Sequence, residues 1–350
     1  MRQQIRFLET ADGVHLAWAR AGSGPVLVKP SCWLTHLEYD WESPVWRHWM
    51  QFLAGHYTFV RYDERGCGMT DWAANDLSPE RWVDDLELVI ERAGLTEPFV
   101  LLGISQGSTA AIQYAIRHPE RVSKLVLYGG YARGWGRRGD AAAERASRAI
   151  IDLMGTGWGS ENPVFRQLFT SRFVPEATAE QIQWFNDLCR RTTSPDVAMR
   201  LNLNRRDVDI TALLPEVRMP TLVMHARDDA VVPLAEGHLL ASQIPDAQFV
   251  ELDSRNHVLL DGEPAWHVFQ DHLLEFTGSA PRHAGFNTLS AREREILALI
   301  AKGLCNADIG DRLFISEKTV RNHATSLFAK LGVESRAQAI VLAREDAFVD

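Results

Sequence analysis

The sequence predicts an α/β unit followed by a separate all-α unit. Short apolar runs alternate with amphipathic stretches through the first 277 residues, and beyond residue 287 the periodicity is helical only. Tryptophan is confined to the first part as well: all eleven lie between Trp18 and Trp266. A length of 350 residues exceeds one average domain and fits two.

The apolar runs VLV (26–28), TFVRY (58–62), FVLLGIS (99–105), KLVLYGG (124–130), TLVMHA (221–226) and QFVELD (248–253) read as strands. Stretches 78–95 and 108–122 carry helical periodicity between them. Strand–helix alternation of this kind implies a mostly parallel sheet covered on both faces. Residues 132–215 hold amphipathic helices and no strand, so they are expected to form a helical lid. A linker is expected at 278–287, with Gly, Ser and Pro and no periodicity. The domains are then 1–277 and 288–350.

Composition narrows the class. Hydrophobic residues make up 46 % and charged residues 24 %, ordinary for a globular protein. Cys32, Cys67, Cys189 and Cys305 lie far apart with no CxxC pair, which argues for a reducing cytosol and against a zinc site. No metal and no cofactor are expected. The N-terminus has no signal-peptide core, and no apolar run reaches the roughly 18 residues of a membrane helix. A cytoplasmic protein is expected. The net charge of −9 argues against nucleic acid binding by the chain as a whole. However, the deficit belongs to residues 1–284, and the last 66 residues are neutral.

GISQGS (103–108) follows an apolar strand and precedes a helix. Gly-x-Ser-x-Gly in that setting is a nucleophile elbow, with Ser105 exposed on a tight turn and the Gln106 N–H facing a developing oxyanion. A serine hydroxyl needs a base, and the base an orienting acid. HARDDAVVP (225–233) offers Asp229, with Asp228 as its rival, and SRNHVLLDGEP (254–264) offers His257. A serine nucleophile points to esters, lactones, thioesters or activated C–C bonds.

With YDERGCGMTD (62–71) and the segment from 209 to 233, these motifs resemble the α/β-hydrolase superfamily over about residues 10–277. The resemblance implies an α/β-hydrolase fold with a helical lid. That family's usual His-Gly after the third strand is replaced in KPSCWLTHLE (29–38). Ser31-Cys32 aligns with the pair, which would put the Trp33 N–H in the oxyanion hole and slow the chemistry. Trp33, Tyr39, Trp41, Trp46 and Trp49 crowd this region. Trp33 and Trp41 are expected to line a ligand pocket.

The tail reads as four short helices. Ile296, Leu297, Leu299 and Ile300 mark the first, Asn306 caps the second, Ser316 the third and Ser335 the fourth. The third bears Lys318, Arg321, Asn322, His323 and Thr325, which makes a helix-turn-helix candidate. LSAREREIL, AKGLCNADIGDRLFIS and EKTVRNHATSLFAKLGV resemble the LuxR-type (GerE-like) DNA-binding domain. The resemblance implies that helix 317–330 enters a major groove of double-stranded DNA. Arg321, Asn322 and Thr325 would face base edges, and Lys318, Thr319, His323 and Lys330 phosphates. It also implies dimerisation through the last helix, hence a homodimer on an inverted-repeat operator.

Two functions compete. In one, the chain is a transcription regulator whose hydrolase body binds, and slowly hydrolyses, a small apolar or aromatic effector such as an ester or lactone. In the other, it is a serine hydrolase with an accessory DNA-binding tail.

Overall fold

Apolar runs without polar alternation become strands buried on both faces. The computed structural model describes residues 2–162, 164–279, 289–333 and 335–345. Its strands are β1 (Gln4–Glu9), β2 (His15–Ala21), β3 (Val26–Lys29), β4 (Thr58–Tyr62), β5 (Phe99–Ile104), β6 (Val122–Tyr128), β7 (Thr221–Ala226) and β8 (Gln248–Leu252). They form a sheet in the order β1-β2-β4-β3-β5-β6-β7-β8. β1, β2 and β4 pair antiparallel, and β4 through β8 are parallel. Every residue of β4, β5 and β7 is buried, as expected for central strands covered on both faces.

The covering helices show how sequence sets each element. α1 (Leu37–Trp41) and α2 (Arg47–His56) precede β4. α3 (Pro79–Arg92) starts with proline at its first position and buries Trp82, Val83, Leu86, Val89 and Ile90 along one stripe. α4 (Gly107–Arg117) follows β5. It stops five residues short of the expected end. Pro119 disfavours helical backbone at His118, which sits at φ −132, and β6 starts at Val122. After β6 come α5 (Ala141–Gly157), α6 (Val164–Phe173), α7 (Ala179–Thr192) and α8 (Pro195–Asn204), with α5 packed on α8. α9 (Leu234–Gln243) and α10 (Pro264–Thr277) complete this part, and Gly278 closes α10 in the left-handed conformation. The linker expected at 278–287 lies, from residue 280 on, outside the described residues.

The chain divides into two units, residues 1–278 and 279–350. The second holds α11 (Ala291–Ala301), α12 (Asn306–Leu313), α13 (Glu317–Leu331) and α14 (Arg336–Glu345). Its own core is built from Ile296, Leu297, Ile300, Ile309, Val320, Leu327 and Leu331. Ser290 and Glu293 form a reciprocal capping box at the start of α11. The cap of α12 is Cys305, whose thiol accepts from the Asp308 N–H, and Asn306 is the first helical residue instead of the cap. Between α12 and α13 the turn is tight: a Cβ on Gly310 would lie 2.8 Å from the Ile315 carbonyl oxygen. Among the described residues no helix is long and apolar enough to cross a membrane.

Candidate active site and nucleic-acid interface

Ser105 stands between β5 and α4 at φ 52, a left-handed conformation that a non-glycine residue rarely adopts. Its neighbours make that turn feasible. A Cβ on Gly103 would meet the Ser108 Cα at 2.6 Å, and one on Gly107 the Ser31 carbonyl oxygen at 2.9 Å. The Ser105 N–H is held by the Tyr128 carbonyl oxygen at 2.9 Å, which ties the turn to the end of β6.

The acid and the base meet on the far side of the same strand ends. His257 Nδ1 lies 2.6 Å from Asp229 Oδ2, with both side chains buried. Asp229 Oδ1 accepts from the Val231 and Val232 N–H groups at 2.7 and 3.0 Å. Burial alone would raise the Asp229 carboxyl. The imidazole beside it and these N–H donors outweigh burial and hold it below the usual carboxylate range. Asp228 is exposed and makes no contact with the imidazole. The His257 backbone is pinned from two sides: its N–H donates to the Phe173 carbonyl at 2.8 Å, and its carbonyl accepts from the Tyr128 hydroxyl at 3.0 Å. Gly129, at φ 55, leaves room for the ring, since a Cβ there would sit 3.2 Å from His257 Cε1. Ser105 and His257 line one small cavity together with Trp33.

The two oxyanion candidates share a cluster that the sequence reading missed. The Gln106 side-chain amide donates to Glu64 Oε1 at 2.9 Å, and Arg205 donates to Gln106 Oε1 at 2.7 Å. Arg205 also pairs with Glu64 at 2.8 Å, and its guanidinium lies 4.6 Å over the Trp33 ring. Glu64 comes from the turn after β4 and Arg205 from the end of α8, 141 residues later. A lone charge in either segment reads as a solvated face, so nothing local signalled the pair. His225 was also missed. It is fully buried at the end of β7, donates from Nε2 to the Val232 carbonyl at 2.9 Å, and lies 3.8 Å from Asp229. Burial pushes its pKa down.

A cavity of about 430 Å³ opens beside the serine, walled by Ser105, Gln106, Trp33 and residues of α5, α6 and α8. Trp33 stands in its wall against Trp158 at 5.5 Å. Trp41 does not. It ends α1 and packs, half-buried, on the main core. Tyr39 stacks on Trp184 at 4.5 Å, while Trp46 and Trp49 pack into the core.

On α13, Lys318, Arg321, Asn322 and Thr325 are exposed, and Thr319 and His323 are half-buried. Lys318, Asn322 and His323 make no side-chain hydrogen bond or ion pair among the described residues. Arg321 reaches back to Glu317 at 3.0 Å, a surface pair of small worth. Lys330, expected near phosphate, is exposed and engaged within its own unit. Its ammonium binds Glu293 at 2.7 Å, because that carboxylate is buried and needs a countercharge.

Residues 45–265 match the family model described as serine aminopeptidase, S33, and residues 287–343 match that of bacterial regulatory proteins, luxR family. RutD of Azorhizobium caulinodans, to which carbamate hydrolysis is ascribed, is 29 % identical over 67 % of this chain and 86 % of its own length. The DNA-binding transcriptional activator DevR/DosR of Mycobacterium tuberculosis is 31 % identical over 39 % of this chain and 64 % of its own. Among solved structures, an esterase from Exiguobacterium antarcticum superposes with a TM-score of 0.66. It covers 79 % of this chain and 100 % of that one at 24 % identity, a likeness of fold.

Proposed function

Because the chain belongs to the serine aminopeptidase S33 family of α/β-hydrolases and ends in a LuxR-type DNA-binding domain, we propose that it is a one-component transcription regulator with a hydrolase-type effector sensor. The observation that carries the reading is the union, in one chain, of a walled cavity beside Ser105 with a helix whose Lys318, Arg321, Asn322 and Thr325 are free of the protein core. Arginine and asparagine suit guanine and adenine edges in a major groove. The protein acts in the cytoplasm as a homodimer on an inverted repeat, as the two-fold symmetry of such operators favours.

The chemistry available to the sensor is acyl transfer. Ser105 Oγ attacks the carbonyl carbon of an ester or lactone while His257 takes its proton, and Asp229 stabilises the imidazolium. The Gln106 and Trp33 N–H groups receive the oxyanion, the leaving alkoxide takes the proton back from His257, and water then releases the acid from Ser105. RutD's ascribed activity adds carbamates to the candidates.

A second reading, a working serine hydrolase whose tail only localises it, is favoured by the close pairing of His257 with Asp229. One experiment separates the two: operator affinity of the wild type and of Ser105→Ala, each with and without a compound recovered from the cavity after growth in cell extract. A change in DNA affinity with ligand supports the sensor. An occupied cavity with no change in DNA affinity sinks it and leaves the hydrolase.

A further inference from the structure

The cavity beside Ser105 is largely apolar, with Ile150, Ile151, Met154, Phe169 and Phe173 in its walls, yet Arg138 and Arg172 line it as well. Arg138, in the loop after β6, donates through Nε to the Arg133 carbonyl at 3.0 Å and lies 5.2 Å over the Tyr131 ring. Arg172, on α6, donates to the Ala230 carbonyl at 3.0 Å. Both are half-buried, and neither has a carboxylate partner among the described residues. Neighbouring Arg133 marks the contrast, since Glu236 neutralises it at 2.8 Å. The cavity's own carboxylate, Asp140, is turned to another use: Oδ1 accepts the Ala142 and Ala143 N–H groups that start α5. Burial lowers the pKa of both guanidiniums, and the more distant charge of Asp229 offsets this only in part.

Two half-buried cations in a largely apolar cavity, neither in direct contact with a carboxylate, favour a ligand that brings an anion to them. A third feature points the same way. Arg205 lines the cavity too, and its Nη1 is buried with no acceptor among the described residues. Planar guanidinium forks match a carboxylate's two oxygens, and a singly charged group suits walls that are otherwise apolar. We propose that the ligand of this cavity is an apolar carboxylic acid derivative whose free carboxylate is held by Arg138 and Arg172 and whose body lies against α5 and α6. This rests on the reading that the cavity beside Ser105 binds the effector. It narrows the class from neutral esters and lactones to compounds bearing a free acid, such as half-esters of dicarboxylic acids, or the acids themselves.

The test uses the full chain with Ser105→Ala, so that nothing is consumed, and two matched probes, 4-phenylbutyrate and its neutral amide. Calorimetry should show the acid binding about tenfold or more tightly than the amide, the usual worth of a charged hydrogen bond. Arg138→Gln and Arg172→Gln should each weaken the acid about tenfold and leave the amide unchanged. Arg137→Gln, on an exposed side chain outside the cavity, should do neither. An amide that matches the acid overturns the anionic subsite in a chain whose arginines are untouched, whatever the variants do to folding. Folded Arg variants that keep full affinity for the acid overturn it as well, while leaving the cavity reading intact. If neither probe binds and neither slows fluorophosphonate labelling of Ser105 in the wild type, the cavity reading falls with it.

Discussion

Glu293→Ala should cost the DNA-binding unit a large share of its stability. The carboxylate is buried in α11, and it accepts from Ser326 Oγ and from Lys330 Nζ at 2.7 Å each, both on α13. It also closes the capping box by accepting the Ser290 N–H at 2.7 Å. The Ser326 bond to a charged acceptor is worth about 1.5 kcal/mol or more. Lys330 is partly exposed, so its pair is worth about 0.5–1 kcal/mol, and the cap adds about 1 kcal/mol. Together these reach about 3 kcal/mol, against roughly 3–9 kcal/mol for a unit of this size at typical stability per residue. Glu293→Gln keeps the cap and should cost about half as much. The pKa of Glu293 is lowered to about 2 by Lys330, Ser326 and the cap. Its contribution is therefore complete above the ordinary glutamate range, and it is lost as pH falls from about 4.5 towards 2. The Gln variant should lack this acid-side loss. Urea unfolding of the full chain separates the units, because every tryptophan lies in the first one and fluorescence is blind to the second. Far-UV circular dichroism follows both. A Glu293→Ala chain whose circular dichroism transition matches the wild type, at neutral pH, would refute the accounting.

Gly129→Ala should slow fluorophosphonate labelling of Ser105 about three- to tenfold. The backbone there is already left-handed, so the added Cβ is strained, and it presses the imidazole by a few tenths of an ångström; labelling at the wild-type rate would mean His257 is not the base. Ser105→Ala should abolish labelling, and a probe found on another serine would reassign the nucleophile. Arg321→Ala should cost about 1–3 kcal/mol on the operator and relax one base pair, while Lys318→Ala should weaken all sequences alike and lower the salt slope by about one. Lys330→Ala should leave that slope nearly unchanged and lower the second unit's unfolding midpoint, since its charge is already spent on Glu293; an equal drop in slope for both lysines contradicts this.

Local patterns made much of the fold legible, and long-range charge made the rest opaque. Short runs rich in apolar residues announce themselves as strands, so β3 through β8 could be read from residues 26 to 253. The β1–β2 hairpin could not: it forms the sheet edge, Phe7 points outward at 57 % exposure, and the short runs there mix charge with apolar residues. Ser105, Asp229 and His257 each sit in a short motif after a strand. The structure brings Asp229 rather than Asp228 to the imidazole, a choice that depends on which way one loop turns. Trp41 was misjudged because ring content says nothing about direction, and α1 aims it at the core. The partner of Lys330 was not legible, because it lies 37 residues upstream on another helix.

The ion pair of Arg205 with Glu64 makes the end of α8 part of the sheet's own machinery. Swinging α8 outward would strand a buried carboxylate and uncover the face of Trp33 at once. Any gate over the cavity must therefore be hinged upstream, among α5 to α7, with α8 as the fixed jamb. The same tether limits what can be transplanted. A cap grafted from a related hydrolase to retune ligand choice would have to bring an arginine equivalent to Arg205, or be accompanied by replacement of Glu64. Otherwise the graft would disturb Gln106 and Trp33 before it ever met a ligand.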